Sequence, residues 1–219
     1  MWASACAVLQ ATARAPVSSA TAFPDTVPPD VSPNATDEAL IAAVQAGDTG
    51  AFRYLVERYE SVVAATVIGM LGPGPQADDV GQETMIRLYR SLDQFEGAAR
   101  LKTYVTRIAI NVSIDALRAR KRRQNRLQSR DAERPPDEPV GHANRTVERR
   151  EQKRLVQQAV RQLDTPYRAV VVLRLLDGYS TQETADILEI PYGTVLSRLH
   201  RAKKRLADRL RPLLDADRP

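Results

Sequence analysis

Three carboxylates at the start of one predicted helix are the strongest candidates for catalysis in this sequence. Asp78, Asp79 and Glu83 stand close together, and hard cations such as Mg²⁺ prefer carboxylate oxygens. Such a group would suit a metal-dependent nuclease. However, neighbouring residues on a helix point about 100° apart, and no nucleophile or general base accompanies these acids. The helix dipole explains acids in a first turn more simply, and a basic protein surface is then their natural partner.

Two dense runs of basic residues point to nucleic acid instead. The first run, between residues 116 and 130, contains no acid, and the second, between 198 and 211, contains only Asp208. One such run alone is often a solvated helix end. Two runs on separate units suit one DNA molecule held at two places, because a tether raises the effective concentration for the second contact. The basic residues are Arg118, Arg120, Lys121, Arg122, Arg123, Arg126 and Arg130, then Arg198, Arg201, Lys203, Lys204, Arg205, Arg209 and Arg211.

Residues that bind metals or cofactors are scarce. The chain has one cysteine, Cys6, and two histidines, His142 and His200, which cannot supply a four-ligand zinc site. The sequence also has no glycine-rich phosphate loop and no Ser/His/Asp spacing typical of a nucleophile. We therefore predict no metal, no cofactor and no catalysis. A single cysteine is typical of a reducing compartment, so we expect a cytoplasmic protein.

The elements that must position the charged residues are helices. Apolar residues recur at three- and four-residue steps in residues 52–70, in residues from about 77 to 92, and from Leu101 to Val112. Gly72–Pro75 and a loop at Asp93–Arg100 separate these segments. The third helix leaves a polar stripe on another face, which comprises Arg107, Asn111, Asp115, Arg118 and Arg122.

A second helical unit follows a segment rich in proline at residues 135–141. It begins with a helix at about 147–163, and then Thr165 is expected to cap a helix that has Pro166 at its first position. That helix ends at Asp177–Gly178. A capping box at Ser180–Glu183 starts a short helix, and a tight turn leads to a basic helix from about Tyr192 to Leu210. This order is typical of a helix-turn-helix, whose second helix enters the major groove.

Composition sets the class of protein. The chain has 219 residues, of which 43% are hydrophobic and 27% charged, as in a globular protein, and no apolar run is long enough for a membrane span. We predict an all-α fold of two small helical domains joined by a flexible linker. The expected divisions are a disordered leader at 1–36, or a mis-assigned start, a first domain at 37–123, a linker at 124–145 and a helix-turn-helix domain at 146–212.

From about residue 37 to 210 the chain resembles the bacterial RNA polymerase sigma factors of the extracytoplasmic-function (ECF) group. The matching segments are Asp78–Thr84, Tyr104–Arg118, Thr165–Arg168 and Gly193–Ala202, in this order and spacing. The resemblance implies a non-catalytic subunit that binds core RNA polymerase and promoter DNA. It also implies an anti-sigma factor as a further partner.

The resemblance also implies roles for individual residues. The acidic helix would dock on core polymerase, the long polar stripe with its preceding loop would bind the minus-10 element, and the last helix would read the minus-35 element. The polymerase contacts would be Asp78, Asp79, Gln82, Glu83 and Arg87. The minus-10 contacts would be Phe95, Lys102, Arg107, Asn111, Asp115, Arg118 and Arg122. The minus-35 contacts would be Thr194, Ser197, Arg198, His200, Arg201 and Lys204.

Four positions depart from the family pattern. Leu196 stands where a basic residue is usual, which removes a cation from the last helix. Glu189 occupies a turn position where glycine is usual, so a left-handed backbone there would be strained. Tyr104 replaces a usual tryptophan, and Leu101 stands at a position that is usually aromatic.

Two other functions compete with this interpretation. One is a helix-turn-helix regulator that acts without core polymerase, which would bind specific duplex DNA as an isolated chain. The other is the nuclease built on Glu83 and its neighbours, which would cleave DNA in a magnesium-dependent way.

Overall fold

Helices make up the parts of the chain that the computed structural model describes, which are residues 32–95, 97, 100–128 and 154–215. No strand occurs in these ranges, and no helix in them is long and apolar enough to cross a membrane. Residues 1–31 of the predicted leader and residues 129–145 of the predicted linker lie outside the described ranges. The helices of the first domain are α1 (Asp37–Gln45), α2 (Thr49–Leu71), α3 (Pro75–Ser91) and α4 (Leu101–Gln128), with a 3-10 turn at Leu92–Gln94.

The first domain is a bundle in which α2 packs against α1, α3 and α4. Leu55, Val63, Leu88 and Val105 are fully buried at its centre, where the three- and four-residue spacing of apolar side chains places them. α4 is longer than this core requires. Its last turns, including residues 124–128 that were expected to be linker, extend the basic run as a regular helix.

The second domain follows the predicted helix-turn-helix order. Residues 154–161 are helical and are labelled α5; they are followed by α6 (Thr165–Val171), a π-helical turn at Val172–Leu176, α7 (Thr181–Leu188) and α8 (Tyr192–Asp215). The expected cap at Thr165 is wrong by one residue. Asp164 is the N-cap, without a side-chain bond, and Thr165 is already helical, because the proline that follows only needs to lie in the first turn. α8 also continues past the expected end.

Local hydrogen bonds and one left-handed residue fix the two ends of α7, the helix that precedes α8. The hydroxyl of Ser180 accepts a hydrogen bond from the amide of Glu183 at 3.1 Å, and the Glu183 carboxylate accepts one from the amide of Ser180 at 2.7 Å. The capping box is therefore confirmed. Glu189, at the end of α7, has φ 53° and ψ 45°, the left-handed conformation expected there. An L-residue in this region costs about 1 to 2 kcal/mol.

The two domains share a hydrophobic core. Met70 of α2 and Ile110 of α4 are fully buried against Leu163 and Leu173 of the second domain. Close backbone approach makes this possible, since a Cβ added to Gly69 would lie 2.9 Å from the Val172 side chain. No pattern in the sequence predicts this packing. A linker between the domains is compatible with this packing, in which the described parts of the two domains touch directly.

Candidate nucleic-acid interface

The last turns of α4 form a strongly positive surface. Every residue from 120 to 126 is exposed, and the one acid in α4 is Asp115. Its carboxylate lies 3.6 Å from the Arg118 guanidinium, and both side chains are more than half exposed, so this ion pair neutralises little. Asn111, one turn earlier, and Arg122, one turn later, are exposed as well. Four predicted minus-10 residues thus lie on an open, cationic helix face.

Arg107, at the other end of the predicted stripe, is engaged by the second domain. Its guanidinium donates a hydrogen bond to the backbone carbonyl of Asp186 at 2.9 Å and lies 3.3 Å from the Glu189 carboxylate. Its Nε is buried without a hydrogen-bond partner among the described residues. The left-handed turn after α7 therefore contacts the face of α4 that was expected to bind DNA.

Lys102 is held at the same contact. Its ammonium lies 5.3 Å from the centre of the Tyr179 ring, within the range of a cation–π interaction. The Tyr179 hydroxyl is paired with that of Thr106 at 2.7 Å, and both residues are buried. Burial raises the pKa of Tyr179 above its usual value, although the hydrogen bond with Thr106 opposes this. The predicted minus-10 residues are thus divided between an open surface and the domain contact.

A second polar pair crosses the same boundary. The Thr66 hydroxyl in α2 donates a hydrogen bond to the Asp177 carboxylate at 2.8 Å. Burial raises the pKa of Asp177, whereas the bond from Thr66 and the charge of Lys102 lower it. The sequence predicts Asp177 only as part of the stop signal for its helix. In the structure its side chain also joins the two domains through the bond with Thr66.

Arg168 binds the helix ends that meet at the boundary. Its guanidinium donates to the carbonyl of Met70 at 2.7 Å, to that of Leu163 at 3.0 Å and to that of Arg161. Cations suit this position, because the last carbonyls of a helix have no partners within it and carry partial negative charge. Burial lowers the pKa of Arg168, and the nearby charges of Arg120 and Arg161 lower it further.

Phe95 lies beside the start of α4 and packs on Tyr104. Their ring centres are 5.0 Å apart, and both side chains are partly buried against the core of the first domain. Tyr89, another aromatic residue near the stripe, packs edge-on against Phe52 at 4.9 Å. Tyr89 and Tyr104 therefore serve packing, whereas Phe95 keeps a half-buried position at the rim of the polar face.

α8 presents a polar face and buries an apolar one. Val195, Leu199 and Ala202 point into the second domain, while Ser197, His200, Arg201 and Lys204 are exposed. Thr194 and Arg198 are half-buried, and the Thr194 carbonyl accepts a hydrogen bond from the Ser197 hydroxyl at 3.1 Å. The six predicted minus-35 residues therefore lie within the first thirteen of the 24 residues of this helix, with four of them open to solvent.

The acidic helix α3 turns its charged side outward. Asp78, Asp79 and Arg87 are exposed, and Gln82 and Glu83 are half-buried. The Glu83 carboxylate lies 2.7 Å from the Arg87 guanidinium, four residues later. Among the described residues no three acidic, histidine or cysteine side chains come together as metal ligands. The five predicted polymerase contacts thus share one helix, and its buried side packs the bundle.

Comparison with known proteins follows the same division into two domains. Residues 55–123 match the family model "Sigma-70 region 2", and residues 153–206 match "Sigma-70, region 4". The ECF RNA polymerase sigma-E factor of Haemophilus influenzae is 34% identical over 188 residues, covering 82% of this chain and 97% of the relative.

Another relative and a solved structure agree with these matches. The RNA polymerase sigma-H factor of Pseudomonas aeruginosa is 34% identical over 195 residues, covering 81% of this chain and 95% of its own. The solved structure of CnrH in complex with the cytosolic domain of CnrY is 28% identical, with a TM-score of 0.59, and the match covers 83% of this chain and 99% of that one.

The buried hydroxyl pair at the domain boundary can be tested by a double-mutant cycle. Thr106→Val and Tyr179→Phe each leave one buried hydroxyl without its partner, and we expect each to lower the free energy of unfolding by about 1 to 3 kcal/mol. The double variant removes both groups and should lose clearly less than the sum. Urea unfolding of the full chain measures all three values.

Ser197→Ala is the matched control for that cycle, because its hydroxyl bonds only to a carbonyl in its own exposed turn. It should change the free energy of unfolding by less than about 0.5 kcal/mol. Strictly additive losses in the double variant would show that the two hydroxyls do not stabilise each other.

Proposed function

The chain belongs to the ECF group of RNA polymerase sigma factors, and we propose that it acts without catalysis of its own, as the subunit that directs core polymerase to promoters. The observation that carries this proposal is the presence of two cationic helices on two domains, α4 and α8, each of which begins within a segment that matches its own sigma-70 region. A regulator that acts without polymerase would have no need of a first domain of this family. That alternative is not favoured.

The exposed side of α3 is the proposed contact with core polymerase. Asp78 and Asp79 are exposed, and within the described part of the chain the ion pair that the acids of this helix form is the local one between Glu83 and Arg87. Asp78 lies in the first turn, where the helix dipole favours negative charge. The partial positive charge of the helix N-terminus offsets only part of the negative charge of the acids. A basic surface on the polymerase would complement these carboxylates.

The open face of α4 is the proposed minus-10 site. Arg118 and Arg122 would bind phosphate, and Asn111 and Asp115 offer donors and acceptors to base edges. Phe95, half-buried at the rim, offers a ring beside cations, on which an unstacked base can rest. Capture of an extruded base would offset part of the few kcal/mol that unstacking costs. Promoter opening would therefore begin at this face.

The first half of α8 is the proposed minus-35 site. Arg201 is exposed on the side of the helix that faces away from the domain core, and arginine to guanine is the commonest base contact in the major groove. Lys204 lies less than one turn later and suits phosphate. Thr194, in the first turn, is placed for phosphate at the helix N-terminus.

An anti-sigma protein is a further proposed partner. The similar chain CnrH was solved in complex with the cytosolic domain of CnrY, and the likeness to CnrH covers 83% of the present chain. A protein that covered α3 or α4 would compete with polymerase and promoter for the same residues. The proposed site of action is the cytoplasm, where core polymerase works.

Promoter binding requires the two domains to separate. The names of the two promoter elements imply about 25 base pairs between them, or about 85 Å at 3.4 Å per pair. In the structure, Arg107 of the minus-10 stripe instead contacts Asp186, in the helix just before α8. We term the described conformation the closed arrangement. Binding both elements at once would break the contacts of Arg107, Lys102 and Tyr179.

Asp79→Arg tests the polymerase contact. The substitution reverses one exposed charge, so the fold should persist while association with core polymerase falls at least tenfold because like charges then meet. Co-purification with core polymerase and promoter-directed transcription in vitro measure the effect. Glu57→Arg reverses another exposed acid, on α2, and should leave both readouts unchanged. Unchanged co-purification of the Asp79 variant would remove this assignment.

Arg201→Ala tests base reading by α8. We expect a loss of about 1 to 3 kcal/mol at one base-pair position, together with relaxed preference there. The measurement is transcription from a library of promoters that differ in the minus-35 element. Arg209→Ala, on an exposed residue two turns later, serves as the control and should weaken all sequences equally if at all. Equal losses on every sequence for Arg201→Ala would contradict a base-reading role.

Energy transfer between two dyes tests the separation of the domains. Hydrogen bonds from Ser180 and then the charges of Arg100 and Lys102 lower the pKa of Glu183, which places Arg100 near the start of α7. Dyes on Arg100→Cys and Gln182→Cys, in a Cys6→Ser background, should therefore transfer efficiently in the free chain. Transfer should fall when core polymerase and promoter DNA are added together. Undiminished transfer in an active complex would contradict the opening.

A further inference from the structure

One apolar side chain interrupts the cationic, solvent-exposed surface of α8. Leu196 is 46% exposed, in the second turn of the helix, although the residues on either side of its face are polar or basic. Its neighbour one turn on along this surface is His200, and Lys203 lies two turns on. An apolar side chain gains free energy when it is removed from water, so contact with a ligand would stabilise a leucine at this position.

Packing does not explain Leu196. Val195 is fully buried and Leu199 is 9% exposed, and these two side chains fill the space between α8 and the rest of the domain. Leu196 lies about 100° from Val195 around the helix, on the side turned toward solvent. Tyr192, one turn earlier on the same side, is 50% exposed. The apolar surface is therefore available to a partner.

The surroundings indicate which partner fits. Arg201, Lys203 and Lys204 are exposed on the same helix and attract phosphate, so the surface suits a polyanion better than the apolar groove of a protein. Within the major groove, one of the four bases presents an apolar group. This is thymine, whose C5-methyl group lies at the groove edge, while the other edges show hydrogen-bond donors and acceptors.

We propose that Leu196 recognises a thymine in the minus-35 element through van der Waals contact with its C5-methyl group. This inference rests on the proposed function, and it adds a specificity residue that forms no hydrogen bond. A basic residue at this position would bind phosphate or guanine. Leucine instead buries a methyl group and excludes water from the contact.

Replacement of thymine by deoxyuridine tests the proposal, because it removes only the methyl group. The chain is assembled with core polymerase, and duplexes that the complex binds are selected from a library randomised across the minus-35 element. Each thymine of the selected element is then replaced singly by deoxyuridine. At one position we expect binding to fall about fourfold, the value for one buried methyl group, with no comparable loss elsewhere.

Two variants assign that loss to a side chain. With Leu196→Ala the thymine and deoxyuridine duplexes should bind equally, since the contact is already absent. Leu176→Ala removes an equally exposed leucine, 47% exposed and outside α8, and should keep the fourfold ratio. The readout is the ratio of the affinities for the thymine and deoxyuridine duplexes. A change in polymerase affinity or in the amount of folded protein does not affect this ratio.

The possible failures are distinct. If the assembled complex selects no minus-35 sequence, the proposed function itself is wrong. If it selects a sequence that lacks thymine, or one in which no thymine depends on its methyl group, the role of Leu196 is overturned while the sigma-factor function stands. A methyl dependence that persists in Leu196→Ala also overturns it.

Discussion

The paired hydroxyls of Thr106 and Tyr179 lie where the two domains meet, and the closed arrangement depends on the contact that they form. A buried hydroxyl without a partner costs more than a satisfied pair contributes, so the pair defines one way for the domains to fit together. Burial of the apolar Met70 and Ile110 side chains stabilises the contact between the domains, and the hydroxyl pair fixes how the domains are positioned against each other. Arg107 and Lys102 are drawn into the contact because they flank Thr106 on the same helix.

The pattern of local interactions made much of the fold predictable. The capping box at Ser180 follows from residues a few positions apart, whereas the left-handed conformation of Glu189 was implied by the family resemblance; the structure contains both. Helical spacing likewise identified the buried residues of α2 and α4. The cap at Asp164 was missed by one position, because proline tolerates more than one place in a first helical turn.

Contacts between distant residues could not be predicted in this way. Thr66 and Asp177 are 111 positions apart, and neither carries a pattern that signals the other. Arg168 could be recognised as part of a family segment, but its three carbonyl acceptors belong to helix ends that meet only in the folded chain. The sequence therefore indicated the outward faces of α3, α4 and α8, but it could not show that one end of the α4 face is covered.

The shared core also has a consequence for the thermodynamics of assembly. A ligand that binds only the separated domains has an apparent dissociation constant equal to its intrinsic value divided by the separated fraction, so each 1.4 kcal/mol of preference for closure weakens apparent binding about tenfold. The first ligand to separate the domains removes this penalty for the second. If polymerase and promoter both bind only the separated domains, each therefore strengthens the binding of the other to this chain.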